Sequence, residues 1–343
     1  MTRCSHSNRP GHLVAQSEDP SRQPHLSIVV PVYRSEDCLR PLVAAITEAL
    51  GSSSISHEII LVNDASPDGS WQRIQELSRE YGTIVGINLR KNFGQEPALL
   101  TGIELARGTY ISTMDDDLQH DPKDLPRLID ALEAFDADVV YANFTAKRQA
   151  SWKNLGSKFY DMVAEWVIQK PKGLYLSAYR MMRSDVAKMI CASQARRAAL
   201  DGLLLQVTSR IAQIPAEHHE RLAGRSNYTF SKSVRAWSDL AFSFSTVPLR
   251  FISVLGVVVA CGGAILALFV AVRRIFAPET FTAYDAGWAS LMVAALLIGG
   301  AQMLFFGALG EYIGRIYLSA SHAPKTSIAS VVRGRVADTG IGT

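Results

Sequence analysis

The sequence predicts an α/β fold: a mostly parallel, doubly wound sheet, followed by interfacial amphipathic helices and a C-terminal two-helix transmembrane hairpin. Three observations carry this. Between residues 26 and 141, short apolar runs alternate with stretches of helical character, as in a parallel sheet covered by helices. Acidic residues gather just past the apolar runs, where open α/β sheets bind ligands. Two long stretches after Arg250 carry no charge at all.

The elements follow in order. Residues 26 to 32, Leu-Ser-Ile-Val-Val-Pro-Val, are nearly continuous in apolar character, as suits a strand buried on both faces. A helix is expected over Ser35 to Leu50. A second strand, Glu58 to Asn63, ends in Asp64-Ala65-Ser66-Pro67-Asp68-Gly69. A helix from Ser70 to Tyr81 leads to a strand from Thr83 to Leu89. Helix 95 to 107 precedes Tyr110-Ile111-Ser112-Thr113-Met114, a strand running into Asp115-Asp116-Asp117. After helix 122 to 134, residues 137 to 141 read as a fifth strand.

The uncharged stretches run from Phe251 to Val272 and from Ala286 to Gly310. Each is long enough, at about 1.5 Å per residue, to cross a hydrocarbon core of about 30 Å. The expected spans are 251 to 272 and 287 to 310, within a hairpin region ending at 318. Gly256, Gly262-Gly263, Gly299-Gly300 and Gly307 suit close helix contact. Lys and Arg flank the pair mainly on the outer sides, which places both termini on the cytoplasmic face. Residues 231 to 250 mix Lys232, Arg235 and Arg250 with Trp237, Phe242 and Phe244, the pattern of helices lying in a membrane interface. Residues 1 to 25 read as a disordered tail, residues 26 to 230 as the α/β domain, and residues 319 to 343 as a cytoplasmic tail.

The 343 residues carry a net charge of +3, so no global field argues for nucleic acid. Cys4, Cys38, Cys191 and Cys261 are scattered, with no metal-ligand spacing, and read as reduced thiols. No G-x-G-x-x-G and no G-x-x-x-x-G-K-[ST] occurs, which removes the dinucleotide fingerprint and the P-loop.

The triple Asp admits two readings on its own. Clustered carboxylates repel one another unless donors or a cation neutralise them, and a hard divalent ion is the simplest neutraliser. Asp121-Pro122 equally suits an acidic loop that opens a helix.

Four segments in order resemble a known family: Val29-Val30-Pro31-Val32-Tyr33, Val62-Asn63-Asp64-Ala65-Ser66-Pro67-Asp68, Arg90-Lys91-Asn92-Phe93-Gly94-Gln95 and Met114-Asp115-Asp116-Asp117-Leu118-Gln119. Together they resemble the GT-A glycosyltransferases of family 2, in the polyprenyl-phosphate branch that includes dolichyl-phosphate mannose synthase. The hairpin resembles bacterial members that load glucose or aminoarabinose onto undecaprenyl phosphate. The resemblance spans about residues 26 to 318 and implies a GT-A, Rossmann-like sheet.

It also implies roles. Pro31 and Tyr33 lie at the nucleobase pocket, and Asp64 and Asp68 at the nucleoside, with Asn63 where an Asp is common. Lys91 and Gly94 match a sugar-nucleotide loop. Asp115 and Asp117 match the D-x-D pair, with Asp116 in the variable middle position on the donor side. Asp117, Gln119 and Asp115 are the implied ligands of Mg²⁺ or Mn²⁺. Arg148, Lys153, Ser157 and Arg180 match the acceptor-phosphate side, where Lys153 replaces the usual Arg and Ala178 the usual acidic residue. Arg221, in an R-x-x-G-x-S segment, closes over the donor. The partners implied are a nucleotide sugar, a polyprenyl phosphate, the inner membrane and other copies of the chain, as a tetramer. His218-His219 read as structural, since adjacent residues diverge on a strand.

The resulting expectation is an inverting, metal-dependent transfer of one sugar from a nucleotide sugar, UDP-linked, to a polyprenyl phosphate for cell-envelope glycans. The physical logic agrees. A lipid phosphate is already anionic near neutral pH, so it needs cations rather than a strong base. The rivals are a processive polysaccharide synthase, which would need more spans and a Q-x-x-R-W motif, and an inactive membrane-anchored scaffold that binds sugar nucleotides. A transporter is disfavoured by two spans without intramembrane charge.

Overall fold

The computed structural model describes residues 23–144, 170–192, 199–217, 287–320 and 326–334, with isolated helical positions between 254 and 276. Strand β1 (Leu26–Val32) is fully buried, as its unbroken apolar run requires. Helix α1 (Glu36–Gly51) lays Leu39, Leu42, Val43, Ile46 and Leu50 on the sheet at helical spacing. There follow β2 (His57–Asn63), α2 (Ser70–Glu80), β3 (Ile84–Leu89), α3 (Gln95–Leu105), β4 (Tyr110–Thr113), α4 (Asp124–Ala134) and β5 (Val139–Asn143). These nine elements sit within two residues or so of the expected ones. Beyond them lie β6 (Arg180–Arg183), α5 (Ser184–Ala192), α6 (Leu200–Val207), β7 (Ile211–Pro215), α7 (Gly287–Ala320) and β8 (Ile328–Arg333).

All eight described strands form one sheet in the order β7-β5-β6-β4-β1-β2-β3-β8. β4, β1, β2 and β3 are parallel neighbours, and β5 and β7 run in the same direction. β6 and β8 alone run against them. The chain moves outward from β1 through β2 to β3, then returns to the other side of β1 as β4. The β1–β4 junction is therefore the switch point, where the flanking connections part and leave a crevice. Two apolar layers sandwich the sheet, one under α1, α2 and α4, the other under α3, α5 and α6.

At the amino end of the parallel strands, a buried carboxylate ties two of them to the turn that opens β4. Glu58 on β2 accepts from the Ser27 hydroxyl on β1 (2.6 Å) and from the Arg107 backbone N–H (2.7 Å). The Arg107 guanidinium covers its other oxygen at 3.1 Å, and Gly108 N–H donates to Ser27. The chemistry thus has the carboxyl end to itself.

The C-terminal part departs from the expected tail. Residues 328–333 pair antiparallel with β3, Val85 opposite Arg333 and Leu89 opposite Ile328, and extend the sheet. Strand β3 is shaped for this. A Cβ on Gly86 would collide with Ile74 and lie 2.7 Å from Val332, so only glycine lets β8 and α2 close over that strand. Helix α7 runs unbroken for 34 residues through the second uncharged stretch. Counted over the described residues, no helix is long and apolar enough to cross a membrane, and part of the α7 side chains lie outside that count. The expected interfacial helices, most of the first span, and Lys147, Arg148, Lys153, Ser157, His218, His219, Arg221 and Arg225 lie outside the described residues.

Candidate active site

A cavity of about 760 Å³ opens at the carboxyl ends of β1 and β4. That size suits a nucleotide-sized ligand. Pro31 and Tyr33 form one wall, Asp64, Asp68 and Gly94 another, and Asp115, Asp116 and Asp117 the third. The four sequence motifs, whose lining residues run from Pro31 to Asp117, 86 positions apart, thus meet at one crevice. Lys91 and Gln119 are not among the residues that line it. Lys91 instead sets its ammonium 4.9 Å from the centre of the Phe93 ring.

Each carboxylate has a distinct task. Asp64 is buried, and both its oxygens are engaged, by Phe93 N–H at 2.7 Å and Gly94 N–H at 2.8 Å. Asp64 thereby shapes the 90–94 loop while also lining the cavity where its contact with a nucleoside is expected. Burial raises its pKa, and the two backbone N–H groups act against that rise. Asp68 accepts from the Ser66 hydroxyl, from the Ser70 hydroxyl and N–H at the start of α2, and from Glu36 N–H at the start of α1. Burial pushes its pKa up, yet these hydrogen bonds together win and hold it below the usual value. It fixes the starts of two helices against each other.

Asn63 is nearly fully buried, and its amide donates to the Asn88 side chain at 2.7 Å. The amide in place of the family's Asp therefore serves a neutral cross-strand link between β2 and β3.

The triple Asp divides its labour. Asp115 accepts from the Gln95 amide at 2.8 Å, and its own N–H donates to His120 Nδ1 at 3.1 Å. His120 is buried and stacks on Tyr179 and Phe144 at centroid distances of 5.0 and 5.5 Å. Asp116 turns back toward β1, accepting from Tyr33 N–H and the Ser35 hydroxyl. Burial pushes its pKa up to about 6 despite those bonds, and Asp115 and Asp117 add to the rise. Asp116 thus staples the β1 loop to the β4 loop across the switch point, a role beyond the variable position assigned to it. Asp117 accepts from Gln119 N–H at 3.1 Å, closing the turn. His120, Gln95 and Ser35 had no role in the sequence reading. The adjacency of His120 to the acidic run was the one signal available for it.

Arg180 requires a correction. Expected among the acceptor-phosphate ligands, it is 2% exposed and ion-paired with Asp201. Its guanidinium also lies 5.7 Å from the Tyr141 ring centre, and its Nε donates to Thr113 on β4 at 3.2 Å. Burial alone would lower its pKa, but Asp201, Tyr141 and Glu96 raise it. Asp201 is the reason: a buried guanidinium needs a carboxylate, and this one is spent inside the fold.

Three of the five non-glycine residues with positive φ among the described residues lie at the same end. Arg34 (φ 59°), Ala65 (φ 50°) and Leu118 (φ 61°) adopt left-handed backbone just past β1, β2 and β4, and Gly94 (φ 97°) does so past β3. Non-glycine residues of this kind gather at functional sites.

The cavity lining carries seven carboxylates and one guanidinium, Arg34. Several are spent on backbone donors, yet a diphosphate would still meet net negative charge. A divalent cation fits this donor set: Asp115 and Asp117 share the cavity, and oxygen ligands from one or two carboxylates plus phosphate suit Mg²⁺ or Mn²⁺. Among the described residues no group of three or more His, Cys, Asp or Glu stands ready to hold a metal, so the remaining ligands would come from the donor.

A family model described as glycosyl transferase family 2 matches residues 27–201. Among solved structures, the chain is similar to glucosyl-3-phosphoglycerate synthase from Mycobacterium tuberculosis in complex with Mn²⁺, UDP-glucose and phosphoglyceric acid. That likeness has 15% identity, 69% of this chain, 84% of that one and a TM-score of 0.46. It is also similar to S. aureus TarS 1–349, at 15% identity over 86% of this chain and 90% of that one, with a TM-score of 0.40.

Proposed function

The chain belongs to glycosyl transferase family 2 and is a glycosyltransferase, and from that premise we propose that it moves one sugar from a UDP-linked donor to a polyprenyl phosphate at the cytoplasmic leaflet of the inner membrane. The observation that carries the donor half is the meeting of Tyr33, Gly94, Asp115 and Asp117 around one cavity at the switch point. Asp115 and Asp117, with Gln119, would hold Mg²⁺ or Mn²⁺, which supplies Lewis-acid neutralisation of the departing diphosphate. Asp64 sets the loop that orients the sugar nucleotide, and His120 and Gln95 hold Asp115 in place. With Ala178 at the family's acidic position, no carboxylate is assigned as base. A phosphate acceptor needs none, because it arrives ionised and attacks the anomeric carbon from the side opposite the diphosphate, with inversion.

The acceptor half rests on different support. Two uncharged stretches follow the catalytic domain, and α7 carries exposed Leu291, Met303, Phe306, Ile316 and Tyr317. Such a surface asks for lipid or another apolar partner. In this reading Arg148, Lys153 and Ser157 receive the lipid phosphate, Arg221 closes over the donor, and the hairpin assembles copies of the chain into a tetramer.

The test is direct. Purified protein is incubated with undecaprenyl phosphate, Mg²⁺ or Mn²⁺ and a panel of labelled nucleotide sugars. Label entering the lipid phase from a UDP-sugar is the expected result. Donor binding without any transfer to lipid would refute the acceptor assignment.

A further inference from the structure

The two places where the described sheet connects to the apolar part of the chain share one end of it. Strand β7 runs parallel to β5 and with β1, so the chain leaves the sheet, past Pro215, at the carboxyl end. Strand β8 is antiparallel to β3, and Ile328 stands opposite Leu89, so the chain re-enters at that same end. Ser327 O accepts from Arg90 N–H at 2.8 Å, and the hydroxyls of Thr326 and Thr101 meet at 2.8 Å. The exit is pinned as well: Ala216 N–H donates to Asn143 O at 3.0 Å, and Arg127 donates to Pro215 O.

β7 and β8 are also the two opposite edges of the eight-stranded sheet. At about 4.8 Å per strand, their attachment points stand roughly 34 Å apart. The β1–β4 crevice lies between them. On the β8 side only residues 321–327 separate the end of α7 from the strand, a reach of at most about 28 Å.

We infer that β7 and β8 suspend the catalytic sheet from the membrane at both edges, so that the donor cleft faces the lipid surface. This rests on the reading of the apolar segments as membrane-embedded. A single tether would let the domain swing, whereas two, at opposite edges of one end, restrict it to poses with that end toward the bilayer. The same pairing fixes topology. Residues 211–215 and 328–333 belong to one sheet, so the segment between them crosses any bilayer an even number of times. Gly86, which makes room for Val332, shows that the second tether is built into β3.

Two measurements test this on the full chain in vesicles. In a cysteine-depleted background, a fluorophore at Lys123→Cys, past the carboxyl end of β4, is compared with one at Ser53→Cys, before the amino end of β2. Energy transfer to a lipid dye should be several-fold stronger from position 123. Equal or reversed transfer overturns the orientation, whether or not any sugar is transferred. The second measurement lengthens the linker between 321 and 325 by about 21 flexible residues, a fourfold extension. Effective concentration falling as the −3/2 power of length predicts roughly an 8-fold lower kcat/KM for acceptor embedded in the bilayer. The rate with a water-soluble, short-chain prenyl phosphate should be unchanged. An unchanged bilayer rate overturns the suspension, and equal losses on both acceptors assign β8 a purely structural role. A parent protein inactive on either phosphate would instead refute the acceptor reading, with the fluorescence result still decisive here.

Discussion

Asp64 and Asp117 are both carboxylates at strand ends, but Asp64 is nearly fully buried and Asp117 only half-buried. Asp117 lines the cavity, and its neutralisation should cost the metal. Asp117→Asn is expected to lower the transfer rate by about 10³-fold or more at fixed Mn²⁺ while the melting temperature stays close to the parent's, as steady-state rates and calorimetry would show. Asp64→Asn should act through the fold. It leaves a backbone N–H of the 93–94 loop facing an amide donor, at a cost of about 1.5–3 kcal/mol, with a raised KM for the donor. Asp68 gives a pH signature. Its folded pKa lies below the ordinary 3.8, so the stability it contributes is present above that value and is lost as pH falls through the folded value. The gap in melting temperature between parent and Asp68→Asn should therefore shrink from pH 5 to pH 3, and a constant gap would disprove the linkage. At this scale the sequence was legible by position and not by task. The motif residues Asp64, Asp68 and Asp116 do reach the cleft, yet each spends its oxygens on Phe93, Ser70 or Ser35. Those partners are chosen by loop geometry that no spacing encodes. Arg180 shows the same limit, because its partner Asp201 comes from a helix that the sequence pattern did not announce.

The connections after β1, β2 and β4 each place a non-glycine residue in left-handed backbone. Ala65→Gly should relieve this and raise stability by about 1 kcal/mol, measurable by urea titration. Gly86→Val should do the reverse. A side chain there meets Ile74 and Val332, and it is expected to cost about 1–3 kcal/mol while prising β8 from β3, which hydrogen exchange at Val331 and Val332 would report. Strands β1 to β4 were legible because each is buried on both faces and reads as an apolar run. β6, Arg-Met-Met-Arg, was not, since four residues with charged ends form no pattern and only the gap between β4 and β5 makes a strand of them. β8 escaped for a related reason. Ile-Ala-Ser-Val-Val-Arg is an edge strand whose identity comes from Gly86 on another element.

For the whole molecule, the core is apolar and sealed at its amino end by Glu58, away from the carboxylates of the cavity. Chelation is expected to abolish transfer while shifting the melting temperature by no more than a few degrees, and added Mg²⁺ or Mn²⁺ should restore the rate. The order of strands in the sheet also sets an order in time. β3 emerges early in synthesis, but its edge partner β8 follows about 240 residues later, after every apolar segment has been made. Until then β3 presents a row of unpaired backbone groups along the sheet's rim. The newborn domain must therefore wait, incomplete at one edge, while the apolar segments find their place. A chain that stalls or is clipped before residue 328 would be released with a sticky flank beside a finished cleft, so the last strand acts as a seal of completed synthesis.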